Sequence, residues 1–370
     1  MFTKPIEIRR TTNPKALPDE NALGFGKYFT DHMFVMNYDA GQGWHNPRIV
    51  PHGPIELDPG AAALHYGQAN FEGLKAYNTA DGRVVLFRPK MNIERMNSSN
   101  ERICMPPIDP AFYLHAMKTL VRIEREWIPK QDGNALYIRP VVFATEAFLG
   151  VRASKSYQFI LLLSPVGPYY PQGLKPVNIY VERHFVRSVR GGVGFAKTAG
   201  NYAAGLKAQS KATEHECVQV LWLDAIERKY IEEVGAMNVF FKIRGKVITP
   251  PLEGTILAGV TRLSSLELLK HWGIPVEERR LSFEEVETEY KNGGLEEVFG
   301  TGTAAVISPV GKLITDSMTM TINNGEIGPL TRRLYAGLTG IQRGTEPDPF
   351  GWMDEVSLEP EPVQAIPVPV

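Results

Sequence analysis

Short apolar runs alternate with capped helical segments along the chain, and this alternation constrains the fold more than any other feature. Runs such as ALYIRPVVF (135–143) and QFILLLSPV (158–166) have the length and the residue content of buried strands. An Asp-Pro pair at 109–110 predicts the start of a helix that Pro129 ends, and Ser282 with Glu285 predicts a capping box. The segment 238–248 predicts a hairpin that turns at Arg244 and Gly245, and 64–77 predicts strands and loops without a helix. Strands and helices mixed in this way predict an α/β (α+β-like) fold.

A Pro- and Gly-rich stretch marks the predicted domain boundary. The chain of 370 residues is long enough for two domains, and GPYYPQGLKP (167–176) has three Pro and two Gly in ten residues. We therefore expect a small N-terminal α/β domain over 1–166, a linker over 167–176 and a large C-terminal α/β domain over 177–358. Residues 359–370 contain four Pro and no periodic pattern, which predicts a mobile tail.

Charge, cysteine content and hydropathy exclude several classes of protein. Forty basic and forty-one acidic residues give a net charge of −1, without the basic excess that nucleic-acid binding needs. No apolar run approaches the ~20 residues of a membrane span. Residues 1–15 lack the apolar region of a secretory signal, and Cys104 and Cys217 form no C-x-x-C motif, so we expect a cytoplasmic protein. The eight His show no metal-ligand spacing, and we expect no metal.

One lysine stands out as a candidate nucleophile. Lys197 is the only charged residue in GGVGFAKTAGNYAAG (191–205). A lysine among small and apolar neighbours is poorly solvated, which favours the neutral amine that a Schiff-base lysine needs. Tyr202 offers a phenol that could orient a cofactor. The alternative is a solvated Lys on a Gly-rich surface loop. A P-loop is disfavoured because Ala196 occupies the position of the second obligatory Gly.

Two turns suit the binding of an anion. Thr261 lies at a predicted helix N-terminus after a glycine, where free N–H groups favour a phosphate, although a simple helix cap would explain the residue equally well. GTGTAA (300–305) offers backbone N–H groups and the hydroxyls of Thr301 and Thr303. This turn fits the dinucleotide pattern G-x-G-x-x-A, but the residues after it predict a strand ending at Pro309 rather than the helix which that pattern requires.

Charged side chains also interrupt two predicted strands. Glu232 and Glu233 lie in YIEEVGAMNVFF, where alternation sends them to opposite faces, so one should point inward and need a partner such as a protonated heterocyclic nitrogen. Periodicity leaves open which of them does so, and an edge strand with both faces in water is the alternative. Tyr137 and Arg139 share one face of LYIRPV and could hold a carboxylate together. The alternative is a surface Arg beside a packed Tyr.

Taken in order, these motifs resemble those of the branched-chain amino-acid aminotransferases, which are pyridoxal-phosphate enzymes of fold type IV. The matching segments cover nearly all of residues 20–355: ALHYGQANFEGLKAY, NIERMNSS, LYIRPV, GGVGFAKTAGNYAAG, EEVGAMNVFF, GVTR and GTGTAAVISPV. The resemblance implies a two-domain fold similar to that of D-amino-acid aminotransferase. FTDHM (29–33) resembles the longer subgroup found in many bacteria and in eukaryotes.

The resemblance also implies an activity. It is the transfer of an amino group between Leu, Ile or Val and 2-oxoglutarate, giving the branched 2-keto acid and glutamate. Lys197 would form a Schiff base with pyridoxal 5'-phosphate and then move a proton. The family relationship further implies a homodimer or a higher homo-oligomer. Rival activities are a D-amino-acid transaminase or an aminodeoxychorismate lyase of the same fold, a non-catalytic binder of a phosphorylated ligand, and an NAD-dependent enzyme.

The resemblance also implies roles for individual residues, at the positions of this chain that match the family's motifs. Tyr202 would bind the ring hydroxyl oxygen, and Glu233 would pair with the pyridine nitrogen and keep it protonated. Four residues would hold the phosphate: Arg95, Val260, Thr261 and Thr303. Seven would bind the substrate, with Arg139 the weaker candidate among them: Phe29, Tyr66, Phe71, Tyr137, Arg139, Tyr169 and Ala304.

The chain departs from the family pattern in three places. Animal members carry a Cys-x-x-Cys motif where this chain has Ala305 and Ser308, so no thiol switch is expected here. Some members have Thr at the position of Ala236, which leaves one pocket hydroxyl in doubt. The Pro-rich tail lies outside the family pattern.

Overall fold

The computed structural model describes residues 5–170 and 173–359, and within them the chain divides into two compact units. Unit 1 comprises 5–169, 197–199 and 341–359, and unit 2 comprises the remainder of the described residues. Residues 341–358, which the sequence analysis assigned to the C-terminal domain, therefore belong to unit 1. Pro171 and Gln172 of the predicted linker, and 360–370 of the predicted tail, lie outside the described residues. The rest of the predicted domain division stays a prediction.

The strands and helices follow one another in the mixed order that the sequence predicted. The strands are β1 (Glu7–Ile8), β2 (His32–Asp39), β3 (Gly43–Pro51), β4 (Ala69–Phe71), β5 (Leu74–Asn78), β6 (Val84–Phe87), β7 (Ala135–Ala144), β8 (Ser156–Val166), β9 (Val177–Glu182), β10 (Gln219–Leu223), β11 (Ile231–Val234), β12 (Met237–Ile243), β13 (Lys246–Thr249), β14 (Val276–Glu278), β15 (Leu295–Gly302), β16 (Val306–Ile314), β17 (Thr319–Thr321) and β18 (Met353–Glu355). The α-helices are α1 (Ala62–Tyr66), α2 (Pro89–Arg102), α3 (Pro110–Ile123), α4 (Ala199–Ala204), α5 (Leu206–Glu214), α6 (Val260–His271), α7 (Phe283–Lys291) and α8 (Pro329–Arg343).

Unit 1 is built on one largely antiparallel sheet. Its strand order is β1-β3-β2-β8-β7-β5-β6-β18, with β4 paired to β7. Strand β18 pairs with β6, Asp354 opposite Leu86, and this pairing brings the end of the described chain into unit 1. The core of the unit contains side chains from the sheet and from α2 and α3, including Phe159 and Tyr113, whose rings meet edge to face at 4.7 Å.

Helix α3 begins where the sequence predicted. The Asp109 carboxylate accepts a hydrogen bond from the Phe112 N–H at 2.9 Å, and Pro110 occupies the first helical position. The apolar stripe of the helix packs into the core. The expectation that the helix continues to Pro129 is wrong, because α3 ends at Ile123 and Trp127 lies in a separate 3₁₀ turn, Arg125–Trp127.

Unit 2 is built on a second sheet, part of which closes on itself. The strand order is β11-β10-β9-β16-β15-β12-β13-β14, with β17 paired to β16, and β11 also pairs with β12. Six strands, β11, β10, β9, β16, β15 and β12, therefore form a closed ring. The predicted hairpin between β12 and β13 turns at Arg244 and Gly245, whose φ angles are 48° and 78°. Positive φ at both positions is typical of the tight turns that match strand twist.

Two local predictions need correction. The strand predicted after GTGTAA is present as β16, but it continues past Pro309 to Ile314. Because a strand follows this turn instead of a helix, the dinucleotide-binding interpretation is excluded. The segment 64–77, predicted to contain strands and loops without a helix, begins inside the one-turn helix α1. Among the described residues, no helix is long and apolar enough to cross a membrane.

The cap of α3 provides a test of the fold. Asp109→Ala should lower the free energy of unfolding by about 1 kcal/mol, because the Phe112 N–H loses its acceptor. Urea denaturation measures the change. Asp109→Ser should recover most of the loss, since its hydroxyl can accept the same hydrogen bond. An Asp109→Ala variant as stable as the parent protein would contradict this role for the cap.

Candidate active site

Lys197 lies on a three-residue segment that is hydrogen-bonded into unit 1. Thr198 forms an antiparallel bridge with Asn70 of β4, and the Phe71 N–H donates to the Lys197 carbonyl at 3.1 Å. The Lys197 N–H donates in turn to Ser99 Oγ of α2 at 2.9 Å. The backbone of the candidate nucleophile is thus held by a strand and a helix, which limits how far its amine can move.

The side chain of Lys197 is half-buried against an aromatic ring. Its Nζ lies 4.9 Å from the centroid of the Phe71 ring. The Arg139 guanidinium carbon lies 4.7 Å from the same centroid. A fully solvated lysine on a surface loop, the alternative that the sequence left open, does not describe this side chain.

A buried carboxylate, Glu72, lies among the cations of this region. Glu72 is 0% exposed and accepts hydrogen bonds from Arg95 Nε at 2.7 Å, from Arg95 Nη2 at 2.8 Å and from Asn92 Nδ2 at 2.8 Å. Burial acts to raise the pKa of Glu72, but Arg95, Lys197 and Asn92 together outweigh it, so the pKa is lowered. Arg95, a predicted phosphate ligand, therefore already has an anionic partner.

Glu72 was missed in the sequence because its signal is weak. It is the only acidic residue in ANFEGLKAY (69–77), but Lys75 lies three residues away in the same segment, so Glu72 is not an isolated charge as Lys197 is. A buried carboxylate needs a partner, and only the structure shows that Arg95 is that partner.

Four of the predicted substrate residues form one group in unit 1. Arg139 Nη2 donates to Tyr137 Oη at 3.1 Å, which confirms that these two side chains share a face, and Arg139 also covers the Phe71 ring. Phe25, which the sequence did not single out, packs edge-on against Tyr137 at 5.1 Å and against Tyr169 at 5.3 Å. The Nε atom of Arg139 is buried and has no hydrogen-bond partner among the described residues.

The two other aromatic candidates of unit 1 have different neighbours. The Phe29 ring stacks on His52 with 4.9 Å between centroids and 10° between planes. Tyr66 is exposed, and its hydroxyl donates to the Leu149 carbonyl. The ring contact of Phe29 and the hydroxyl contact of Tyr66 are therefore with residues outside the Phe71 group.

In unit 2, Glu233 is buried and surrounded by donors. Its exposure is 2%, and its Oε1 accepts hydrogen bonds from Asn238 Nδ2 at 3.1 Å and from the Leu257 N–H at 3.0 Å. Its Oε2 lies 2.9 Å from Arg187 Nε, an ion pair whose angle falls short of a hydrogen bond. Opposite charge and hydrogen-bond donors thus compensate this buried carboxylate for the water that it has lost.

The neighbouring Glu232 is buried as well. The sequence predicted one inward carboxylate, but Glu232 is only 7% exposed, because the segments that carry Asp224 and Thr255 cover its side of β11. Burial raises the pKa of Glu232, and Thr255 and Arg187 oppose this shift without cancelling it. Strand alternation still separates the two carboxylates, and only Glu233 has the contact with Asn238.

Arg187 also holds the loop that precedes Lys197. Its Nη2 donates to the carbonyls of Gly194, at 2.8 Å, and Thr255, and Ser188 Oγ donates to the Thr255 carbonyl at 2.7 Å. A Cβ at Gly194 would lie 2.4 Å from the Thr255 carbonyl oxygen, so only glycine fits there. Arg187 was missed because RHFVRSVR contains three Arg and no pattern distinguishes them.

The predicted anion-binding turns have the groups that a phosphate needs. Gly259 is the N-cap of α6 and has no side chain to accept from the first-turn N–H groups. Thr261 is already the second helical residue, so the interpretation of Thr261 as a cap is wrong. In the other turn, Thr301 Oγ1 is buried and has no hydrogen-bond partner among the described residues, while Thr303 and Ala304 are half-buried between β15 and β16.

Tyr202 lies in α4 and is half-buried. Its neighbour Asn201 donates to the carbonyls of Val193, at 2.8 Å, and Ala196, at 2.9 Å, which ties the start of this helix to the Gly-rich loop. Over residues 5–170 and 173–359, no three or more His, Cys, Asp and Glu side chains are grouped in a way that could hold a metal ion.

Comparison with known proteins identifies the family. The family model for amino-transferase class IV matches residues 69–313. The chain belongs to the class IV aminotransferases. The resemblance and the fold class inferred from the sequence are thereby confirmed.

Individual relatives of this aminotransferase match it over almost its whole length. It is 58% identical to "Branched-chain-amino-acid transaminase 1" of Bacillus subtilis over 96% of this chain and 100% of the relative. The branched-chain amino acid aminotransferase of Escherichia coli superposes with a TM-score of 0.73 at 27% identity, over 88% of this chain and 99% of that one. The branched-chain amino acid aminotransferase of T.th., complexed with N-(5'-phosphopyridoxyl)-L-glutamate, superposes with a TM-score of 0.71 at 26% identity, over 88% and 98%.

The buried pair of Glu72 and Arg95 provides a second test. Glu72→Gln should destabilise the aminotransferase by roughly 3–5 kcal/mol at pH 7, because Arg95 is left with only 11% exposure and no counter-charge from this position. Because the folded-state pKa of Glu72 lies below the ordinary value of 4.5, its stabilisation is present above that pH and is lost as the pH falls through the folded-state pKa.

Urea denaturation at several pH values measures both effects. The exposed neighbour Glu94 is the control, and Glu94→Gln should change the stability by less than about 0.5 kcal/mol. A Glu72→Gln variant that is no less stable than Glu94→Gln, or a difference that grows in acid, would contradict the assignment.

Proposed function

We propose that this aminotransferase moves the amino group between Leu, Ile or Val and 2-oxoglutarate, with pyridoxal 5'-phosphate as its cofactor. The observation that carries the proposal is the near full-length match to branched-chain amino-acid aminotransferases, one of them 58% identical. The hydrogen-bonded position of Lys197 supports it, because a covalent cofactor needs an amine whose backbone is held in place.

The residues present suit this cofactor. The N–H groups at the start of α6 and the Thr301 hydroxyl, which has no hydrogen-bond partner among the described residues, are donors that a phosphate would use. The proposed phosphate ligands are Val260, Thr261, Thr303 and Arg95. The buried carboxylate of Glu233 suits a protonated ring nitrogen. Tyr202 is the proposed partner of the ring hydroxyl oxygen.

Bound pyridoxal phosphate supplies an aldehyde that takes up the amino group and a ring that accepts the electron pair left at the substrate Cα. Lys197 Nζ would take the proton from the substrate Cα as a base and return it to the cofactor C4′ as an acid. Glu233 would hold the ring nitrogen in its protonated form, which would let the ring accept charge. Arg187 and Asn238 hold the Glu233 carboxylate in position for that purpose.

The proposed substrate contacts divide by chemistry. Tyr137, Arg139 and the Ala304 backbone bind carboxylate oxygens, and the buried Arg139 Nε, which has no hydrogen-bond partner among the described residues, is a donor suited to this. The aromatic side chains pack against the branched apolar group: Phe29, Tyr66, Phe71 and Tyr169. Glutamate as the second amino donor agrees with the glutamate adduct in the T.th. enzyme.

We further propose a cytoplasmic homodimer or higher homo-oligomer that acts on small molecules without a nucleic-acid or membrane partner. The absence of a helix that could span a membrane among the described residues and the net charge of −1 agree with this assignment. Light scattering of the purified protein checks the oligomeric state.

Reductive trapping tests the nucleophile. Borohydride treatment of the purified holoenzyme should leave a phosphopyridoxyl group on the peptide that contains Lys197, and Lys197→Ala should abolish both the label and transamination. Lys75 is the most informative competitor, because burial, assisted by Arg343, lowers its pKa to about 8. Label on Lys75 in place of Lys197 would contradict the assignment. Lys207→Ala, at an exposed position, is the control and should keep the label on Lys197.

The adjacent glutamates offer a matched pair of variants. Glu233→Gln should lower kcat by roughly 10²-fold, because a neutral amide cannot hold the ring nitrogen protonated. Glu232→Gln changes the neighbouring buried carboxylate on the other face of β11 and should keep kcat within about threefold. Steady-state kinetics with leucine and 2-oxoglutarate measures both. Equal losses in the two variants, or no loss in Glu233→Gln, would contradict the proposed role of Glu233.

A further inference from the structure

Residues 11–15, here called the N-terminal strap, are hydrogen-bonded along the segment 29–32 of unit 1. The Thr11 N–H donates to His32 Nε2 at 2.8 Å, and the Lys15 N–H donates to Asp31 Oδ1 at 2.8 Å. The Lys15 ammonium then donates to two successive carbonyls, those of Phe29 at 3.2 Å and Thr30 at 2.9 Å. The strap therefore holds both the side chains and the backbone of this segment.

The same segment is also held by buried groups. The Glu124 carboxylate, 2% exposed, accepts from the Asp31 N–H at 3.0 Å and is hydrogen-bonded to His32 Nδ1. Since His32 Nε2 accepts from the Thr11 N–H, the ring proton is on Nδ1 and is donated to Glu124. The His52 N–H donates to the Asp31 carbonyl at 2.8 Å. Asp31 and His32 are thus fixed whether or not Lys15 is present.

Phe29 has fewer such contacts. Its ring stacks on His52, and its carbonyl oxygen accepts from Lys15 Nζ. The next residue, Thr30, is fully buried, and its N–H donates to the Leu163 carbonyl at 3.1 Å. The position of the Phe29 ring therefore depends on Lys15 more than the positions of Thr30, Asp31 and His32 do. An ammonium group that bridges two successive carbonyls restricts the peptide between them, because charge-assisted hydrogen bonds are the stronger ones.

We propose that Lys15 is a positioning residue for substrate specificity, which fixes Phe29 as a wall of the site for the apolar side chain of the amino acid. This inference rests on the proposed function, in which Phe29 contacts that side chain. Lys15 touches neither the amino group nor the carboxylate of the substrate in this proposal. Loss of the Lys15 ammonium group should therefore change the discrimination between amino acids with long and short side chains, and it should leave kcat unchanged.

The test compares two amino donors in the holoenzyme. Leucine has a side chain long enough to need the Phe29 wall, whereas L-2-aminobutyrate has a short one. The measured quantity is the ratio of kcat/KM for leucine to kcat/KM for L-2-aminobutyrate, with saturating 2-oxoglutarate. Phe29→Ala is the reference variant and should lower this ratio by about tenfold or more. Removing an apolar contact with the leucine side chain reduces the preference for leucine by about that factor.

Lys15→Met keeps the aliphatic stem and removes the ammonium group. It should lower the ratio at least threefold, mainly through a higher KM for leucine, with kcat, the cofactor absorbance and the melting temperature close to those of the parent protein. Lys15→Arg should keep the parental ratio, because a guanidinium can donate to both carbonyls. Lys27→Met, at an exposed lysine two residues before Phe29, is the matched control and should leave the ratio unchanged.

The outcomes separate this inference from the proposed function. A parent protein that does not transaminate leucine overturns the proposed function and this inference with it. If the parent protein does so, the inference alone is overturned when Lys15→Met keeps the parental ratio, when Lys27→Met lowers it equally, or when Phe29→Ala leaves it unchanged. Equal losses for both donors together with a lower melting temperature would assign Lys15 a merely structural role and also overturn it. Lys15→Gln replaces Lys15→Met should the latter not fold.

Discussion

The charge balance around Lys197 depends on one buried carboxylate, Glu72, which interacts with two cations. Glu72 is inaccessible to solvent, Arg95 binds it through two nitrogens, and the charge of Lys197 also acts on it. A lone buried carboxylate beside a lysine would hold that lysine in its charged form, because losing the proton would strand an anion in the interior. Arg95 and Asn92 bind Glu72 directly, so the carboxylate has partners besides Lys197. Under the proposed function, Glu72 therefore stays paired while the Lys197 amine acts on the substrate.

In unit 2 a buried carboxylate, Glu233, is likewise compensated by several partners. Glu233 is compensated by Arg187, Asn238 and the Leu257 N–H, and each partner ties it to a different segment. Arg187 also binds the Gly194 and Thr255 carbonyls, and Asn238 binds the Leu257 carbonyl close to the start of α6. Compensating the charge thereby fixes the loops around it. A carboxylate held by several rigid segments needs little rearrangement when its partner gains positive charge, and such preorganisation is the main source of electrostatic catalysis.

Features that depend on neighbouring residues could be predicted from the sequence. The caps at Asp109 and Ser282 and the turn at Arg244 and Gly245 lie within a few residues of the groups they contact, and the structure has all three. The pairing of β18 with β6 and the closure of the ring by β11 and β12 join distant segments, so no local pattern predicts them. The burial of the Glu232 side chain could not be predicted either, because the segments that bury it are distant from β11 in the sequence.

The residues of the candidate site divide in the same way, into those with a local signal in the sequence and those that only distant contacts distinguish. Lys197 is apparent in the sequence because it is an isolated charge, whereas Glu72 lies three residues from Lys75 and does not stand out. Arg187 is one of three similar arginines and becomes distinct only through its contacts with Glu233 and Gly194. The structure adds a further distinction. The buried carboxylates of Glu72 and Glu233 have cationic partners, while the Phe29 carbonyl accepts a hydrogen bond from the ammonium group of an exposed lysine. Buried ion pairs are costly to disturb and surface hydrogen bonds are not. Under the proposed function, substrate preference can therefore change through a surface residue while the residues proposed to move protons stay as they are.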